Sequence, residues 1–343
     1  VREYFPTSIA LPATLRLGSQ LARRGLVTHG ALAAVVRQLV EQVARQFIAE
    51  HQPDGVAQVI QALAARRATC SLDVLGEQVL TEAEADRYVS QCSALLEGFT
   101  GRANLSVKPS ALTPRFDPVS PEASIDRAAR RLAPLLQRAS ERGGMITLDM
   151  EQYELRDLTL ALAKQLALQE PHAGLGIVVQ AYLRDAEPMV EELLAWLAAH
   201  ERTLTVRLVK GAYWDAEVAY ARQRHWPAPV YESKDQTDLA FERLTRRLLG
   251  AFPLVTTAIA SHNVRSIAHA MATAEALGLA KDQLEFQLLY GMGEALHAAI
   301  VSLGYPVRIY TPIGELIPGM AYLVRRLLEN TANESFLRQD FLQ

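Results

Sequence analysis

The chain is predicted to fold as an α/β protein, a closed (β/α)8 barrel of the TIM type preceded by a helical arm. Three observations point there. Short β-rich runs alternate with helical runs of ten to twenty residues over about 260 residues, and the alternation repeats eight times. Neither phosphate-binding glycine pattern of the doubly wound folds, G-x-G-x-x-G after the first strand or G-x-x-x-x-G-K-[ST], is present. Polar and ionisable residues gather at the C-terminal ends of the strand runs, where the active sites of such barrels lie.

The first 66 residues read as the arm and 67–343 as the barrel. In the arm, ALAAVVRQLVEQVARQFIAEH (31–51) sets Leu32, Val35, Val36, Leu39, Val43 and Phe47 on one helical stripe that ends before Pro53–Gly55, and a second helix covers 55–66. The strand runs are TCSLDVL (69–75), NLSVKP (104–109), MITLD (145–149), GIVVQAY (176–182), LTVRLVK (204–210), LVTTAIAS (254–261), LEFQLLY (284–290) and VRIYTP (307–312). Helices are expected after Leu80, where Thr81–Glu84 forms a capping box, and after Ser120–Pro121. Further helices are expected over 152–169, 186–200, 235–250, 263–277, 293–303 and 319–330.

Composition narrows the function. Of 343 residues, half are hydrophobic and 21% are charged, which excludes a disordered chain. A net charge of −3 argues against a dedicated nucleic-acid binder. Cys70 and Cys92 form no CxxC pair, so a disulfide framework and a four-thiolate zinc site are excluded and a reducing compartment is expected. No apolar run reaches the ~18 residues of a membrane span, and VREYFPTSIA lacks the apolar centre of a signal peptide.

Seven of the eight strand ends carry candidate functional groups: Lys108, Asp149, Glu151, Gln180, Tyr182, Arg207, Lys210, Ser261, His262, Gln287, Tyr290 and Tyr310. Arg207 alternates with Val206 and Leu208, so it points into the barrel while they face the helices, or the reverse. Either way it is difficult to solvate and needs Asp149, Glu151 or a ligand as acceptor. Asp149 and Glu151 suit acid–base work or helix entry; with only His262 nearby they make a thin metal set, and no metal is expected. His262 in SHN either contacts a ligand or helps Ser261 and Asn263 cap the next helix. In VKGAYWD (209–215), Gly211 and Ala212 leave the backbone open beside Tyr213 and Trp214, as a planar cofactor or a loop anchor requires. Arg325 and Arg326 lie about 100° apart on the last helix. They either face solvent or grip a carboxylate, with Glu329 one turn on to orient one of them and Tyr322 on a neighbouring face.

VRLVKGAYWD (206–215), ASHN (260–263), EFQLLYGMGE (285–294) and YTPIGELIPGMAYLVRRLLENTANESFLR (310–338) resemble the proline dehydrogenase family, as do SLDVLGE (71–77), SVKPSAL (106–112), TLDMEQY (147–153) and VVQAYLRDA (178–186). The C-terminal stretch is most similar to that region of bifunctional proline utilization A. The resemblance implies a distorted barrel with noncovalent FAD. It implies oxidation of L-proline to Δ1-pyrroline-5-carboxylate by hydride transfer from C5 to flavin N5, with a membrane quinone taking the electrons. It implies that Arg207 meets flavin N5; that Met150, Gln180, Lys210, Gly211, Ala212, Trp214, Ser261 and His262 contact the cofactor; and that Asp149 is catalytic. Arg325 and Arg326 would clamp the proline carboxylate with Lys108, which pairs with Glu329 or Asp149 in the empty site. Tyr310 and Tyr322 would wall the ring, Tyr310 favouring proline over 4-hydroxyproline. A pyrroline-5-carboxylate dehydrogenase domain or partner, and a cytoplasmic location peripheral to the membrane, are further expectations. Pro109 and Ser261 stand where relatives more often carry an aliphatic residue and Thr. The alternatives are a flavin barrel of the methylenetetrahydrofolate reductase type, which has no reason to carry the arginine pair, and a barrel without catalysis serving as a scaffold.

Overall fold

A computed structural model describes residues 44–314 apart from 51, 77, 99 and 100, together with Gly319 and Tyr322. Eight parallel strands close into a barrel in sequence order: β1 (Ala68–Val74), β2 (Asn104–Val107), β3 (Met145–Leu148), β4 (Gly174–Gln180), β5 (Leu204–Val209), β6 (Val255–Ala260), β7 (Leu284–Leu289) and β8 (Val307–Ile313). Each strand run read from the sequence is found within two residues of its expected ends.

Helix α1 (Pro53–Ala65) leads into β1, with proline at its start where no N–H is missed. The crossovers are α2 (Glu82–Gly98), α3 (Pro121–Glu141), α4 (Arg156–Gln169), α5 (Ala186–Ala199), α6 (Trp214–Arg224), α7 (Lys234–Leu249), α8 (Val264–Ala276) and α9 (Glu294–Ser302). The Thr81–Glu84 box forms: Glu84 N–H donates to Thr81 Oγ1 and Thr81 N–H to Glu84 Oε2. Ser233 caps α7 and Asn263 caps α8 through their side-chain oxygens.

Two expectations change. The helix expected to run to 51 gives way beyond Ala44 to a turn and a bridge, because Ala49 N–H pairs with Pro312 O beside β8. Helix α6 was not anticipated: WDAEVAYARQR buries only Glu217, Val218 and Ala221, too narrow a stripe to show as amphipathic periodicity. Residues 31–43 of the first expected helix, and the helix expected over 319–330 apart from Gly319 and Tyr322, lie outside the described residues.

Strand register decides which way Arg207 faces. It pairs with Val178 on β4 and Ala258 on β6. Val206 and Leu208 on either side of it are completely buried against the helices, so Arg207 points inward. Following that parity round the barrel puts Ser71, Asp73, Asn104, Ser106, Thr147, Arg207, Glu285, Gln287, Arg308 and Tyr310 in the interior. Most apolar strand residues lie outside them: Leu72, Leu105, Val107, Ile146, Leu148, Ile177, Val179, Val206, Leu208, Ile259, Phe286 and Leu288 all pack between sheet and helices, while Met145, Val178, Ala258 and Leu289 share the inward parity. The hydrophobic core is therefore a ring around the sheet, and the barrel axis is polar.

Candidate active site

The interior residues at the C-terminal end form one hydrogen-bonded cluster. Arg207 Nε donates to Gln287 Oε1 at 2.6 Å, and Nη1 donates to Ser106 Oγ at 2.8 Å and Asp149 Oδ1 at 2.9 Å. Ser106 Oγ donates its own hydrogen bond to Asp149 Oδ1 at 2.7 Å. Lys108 Nζ donates to Asp73 Oδ1 at 2.6 Å and stands 3.7 Å from Asp149 Oδ2. Tyr310 Oη lies 2.7 Å from Asp73 Oδ2 and 3.0 Å from Asp149 Oδ2, so its single proton serves one carboxylate at a time. The Arg207 guanidinium carbon sits 5.2 Å from the Tyr310 ring centroid. Two cations thus face two carboxylates, which is what makes this much buried charge tolerable.

Burial shapes the titrations. It pushes the Asp73 carboxyl above its ordinary value, and Asp149 pushes the same way, against the pull of Lys108. Burial alone would lower Lys108, yet the carboxylates of Asp73 and Asp149 outweigh it and hold the ammonium above the usual lysine value. Tyr310 is raised well above an ordinary phenol by burial and by the two acids.

Above the cluster opens a cavity of about 590 Å³. Lys108, Asp149, Met150, Gln180, Arg207, Lys210, Gly211, Ala212, Ser261, His262, Tyr310 and Tyr322 all line it, so twelve of the residues singled out from sequence converge on one space. Lys210 is ion-paired with Asp238. Gly211 has φ +131°, and a Cβ there would stand 2.5 Å from the Tyr182 ring, so only glycine fits. Ser261 Oγ accepts from Asn263 N–H, and His262 Nε2 accepts from Leu289 N–H, tying the end of β6 to β7. Tyr322 packs with Phe47, Ile48 and Met292, against Tyr310. Trp214 stands apart: its indole donates to Tyr231 O and its ring does not line the cavity. Lys108 pairs chiefly with Asp73, with Asp149 the more distant acid. Arg325, Arg326 and Glu329 lie outside the described residues.

Sequence reading missed Asp73, Ser106 and the role of Gln287. The signal for Asp73 was present: a lone acid in SLDVL, in the one strand end that seemed to carry no polar group.

Two buried polar atoms on the cavity wall lack a hydrogen-bond partner among the described residues: Arg207 Nη2, a donor, and Gln180 Oε1, an acceptor. Gln180 Nε2 is already engaged by the carbonyls of Met150 and Glu151, which fixes the amide. Leaving such atoms bare costs about 1–3 kcal/mol each. A planar heterocycle presenting both an acceptor and a donor edge satisfies them together, so the residues fit a flavin-like group.

Glu151 offers a test of local electrostatics. Its carboxylate accepts from Ser110 N–H at 3.0 Å and from Ser110 Oγ at 2.5 Å. Burial nonetheless raises its pKa above the ordinary 4.5. The folded protein then holds the proton at pH values where the unfolded chain has lost it, so this group's contribution falls as pH rises above 4.5. Wild type is expected to lose stability relative to Glu151→Gln as pH rises from 4.5 towards neutrality. Urea denaturation of both across that range measures it, and a pH-independent difference would contradict it.

A family model described as proline dehydrogenase matches residues 56–339. The bifunctional protein PutA of Klebsiella aerogenes is 34% identical over 294 residues, covering 78% of this chain and 22% of that protein. The chain thus spans about a fifth of such relatives. The proline dehydrogenase of Deinococcus radiodurans is 29% identical over 331 residues, covering 94% of this chain and 99% of that protein. Among solved structures, proline utilization A from Bdellovibrio bacteriovorus, inactivated by N-propargylglycine, superposes with a TM-score of 0.85 at 39% identity, covering 90% of this chain and 35% of that one.

Proposed function

The chain belongs to the proline dehydrogenase family, and on that premise we propose that it oxidises L-proline to Δ1-pyrroline-5-carboxylate with FAD, passing the electrons to a quinone. The observation that carries this reading is the pair of unsatisfied atoms, Arg207 Nη2 and Gln180 Oε1, on side chains that line the cavity. When bound, FAD supplies the acceptor for the hydride that leaves proline C5.

The chain's own residues do the rest. Arg207 Nη2 offers a fixed donor to the flavin, and Gln180 and Met150 approach the same group. Lys210, Gly211 and Ala212 bring open backbone to it, the left-handed Gly211 allowing the close approach. Ser261 and His262 face its more polar extension. Lys108, with Arg325 and Arg326, binds the substrate carboxylate, and Tyr310 and Tyr322 wall the ring. Asp73 and Asp149 keep the cations balanced until the substrate carboxylate arrives. Fixing both reactants in a dry site is what the protein contributes to rate. The substrate amine must be neutral before hydride leaves, so turnover rises with pH.

The purified protein is expected to bind FAD and to be yellow, and anaerobic L-proline should bleach its visible absorbance. A colourless protein that takes up no FAD would leave a barrel scaffold as the reading. A flavoprotein that proline does not bleach would point to a different flavin barrel.

A further inference from the structure

Below Arg207 the polar column continues to the opposite end of the barrel. Gln287 Oε1 accepts from Arg207 Nε at 2.6 Å, and Gln287 Nε2 donates to Glu285 Oε1 at 2.8 Å. Arg308 grips Glu285 with a two-pronged fork, Nε to Oε1 and Nη2 to Oε2, both at 2.8 Å. Its third nitrogen, Nη1, donates to Cys70 O on β1 at 3.1 Å. The chain runs Arg308, Glu285, Gln287, Arg207 across β8, β7 and β5.

We propose that Glu285 and Arg308 are positioning residues which, through Gln287, set the orientation of the Arg207 guanidinium towards the cofactor. The proposal rests on the reading that Arg207 meets the flavin. The chemistry allows only one arrangement of the amide. An arginine Nε–H can only donate and a carboxylate can only accept, so Gln287 must turn its carbonyl to Arg207 and its NH2 to Glu285. Glu285 is thereby the lock on the amide, and Arg308 is the lock on Glu285. Arg207 is then held on both sides, at Nε by Gln287 and at Nη1 by Ser106 and Asp149. Nη2 is left as the one guanidinium nitrogen without a partner among the described residues, on a side chain that lines the cavity. The pair is partly open to water, its side chains 17% and 21% exposed, so it adds little net stability. What the ion pair adds is direction, the property a donor to a reacting heterocycle needs.

The test uses the FAD-loaded protein in three forms. Arg207→Met reports the premise. Glu285→Leu/Arg308→Met removes both charges together, so that no lone ion is buried. Gln287→Leu breaks the link while leaving the Glu285–Arg308 pair intact, and stands in for the double variant should that fail to fold. In each, the flavin midpoint potential, the visible spectrum, kcat and the KM for proline are measured. The relay variants are expected to retain FAD and the wild-type KM. Their potential and spectrum should shift in the same direction as in Arg207→Met, and kcat should fall about tenfold or more. If Arg207→Met moves the potential and the relay variants do not, Glu285 and Arg308 merely fill the barrel and the proposal fails alone. If Arg207→Met leaves potential and spectrum unchanged, the premise and the proposal fall together.

Discussion

Replacing Arg207 by Met is expected to lower kcat by about 10²–10³, the usual loss when one preorganised donor is taken from a reacting centre. The same change should cost about 3–5 kcal/mol of stability, because it breaks a buried ion pair from one side only. Three acceptors lose their partner at once: Gln287 Oε1, Ser106 Oγ and Asp149 Oδ1. Of the two acids, Asp73 keeps Lys108, whereas Asp149 keeps only Ser106, Tyr310 and a lysine 3.7 Å away. The two effects separate in a double variant. Adding Asp149→Asn removes the orphaned charge and should restore part of the stability while leaving turnover low. Lysine at 207 should rescue little, since one ammonium cannot reach Gln287, Ser106 and the cavity as a planar fork does. Urea denaturation and anaerobic single-turnover reduction by proline measure the two losses. Wild-type turnover in Arg207→Met would remove the guanidinium from the reaction.

Lys108→Met should produce a defect that depends on pH. Asp73 is 1% exposed and has Lys108 as its cation. Without that cation, burial and Asp149 raise its pKa further, so the folded state holds a proton that the unfolded chain releases near 3.8. The sign follows from linkage. Where the native state binds the extra proton, stability falls as pH rises, so the variant comes close to wild type in acid and is worst above neutrality. At pH 8 the deficit is expected to approach the ~3–5 kcal/mol of a broken buried pair. Lys108→Met/Asp73→Asn should reduce the dependence, because the buried Asp73 carboxyl is then gone. Denaturation midpoints at pH 5 and pH 8 for the three proteins decide the matter; an equal deficit at both values would show that lost packing, not lost charge, accounts for it. The proline KM of Lys108→Met should also rise if the ammonium grips the substrate carboxylate.

The architecture was legible because short apolar runs, most of them carrying β-branched residues, alternate with helical runs; the eightfold count followed directly. Arg207 could be flagged as needing a partner from TVRLV alone. Its direction could not, because both faces of a barrel strand are covered and period-two alternation does not say which face is inside. Register against Val178 and Ala258 supplies that answer. Asp73 escaped notice although it meets the criterion applied to Arg207, an ion within a buried strand. Ser106 and the partnership of Gln287 with Arg207 were beyond reach: a serine and a strand-end glutamine show no partner until the barrel closes and brings positions 101 and 80 residues away against Arg207. Helix α6 was hidden by its composition, since a helix that buries three side chains leaves no stripe to read. The Arg325–Arg326 clamp rests on resemblance, as those residues lie outside the described part of the chain.

The ring-shaped apolar core separates two duties that most small proteins must reconcile in one place. Helices hoop the staves from outside, so cohesion resides in a jacket and the lumen is released from it. Charges, amides and hydroxyls can then be exchanged along the axis to suit a different reaction while the cylinder stays assembled. On this account, sequence drift among relatives with other chemistries should concentrate at inward positions, with the jacket residues changing mainly in size.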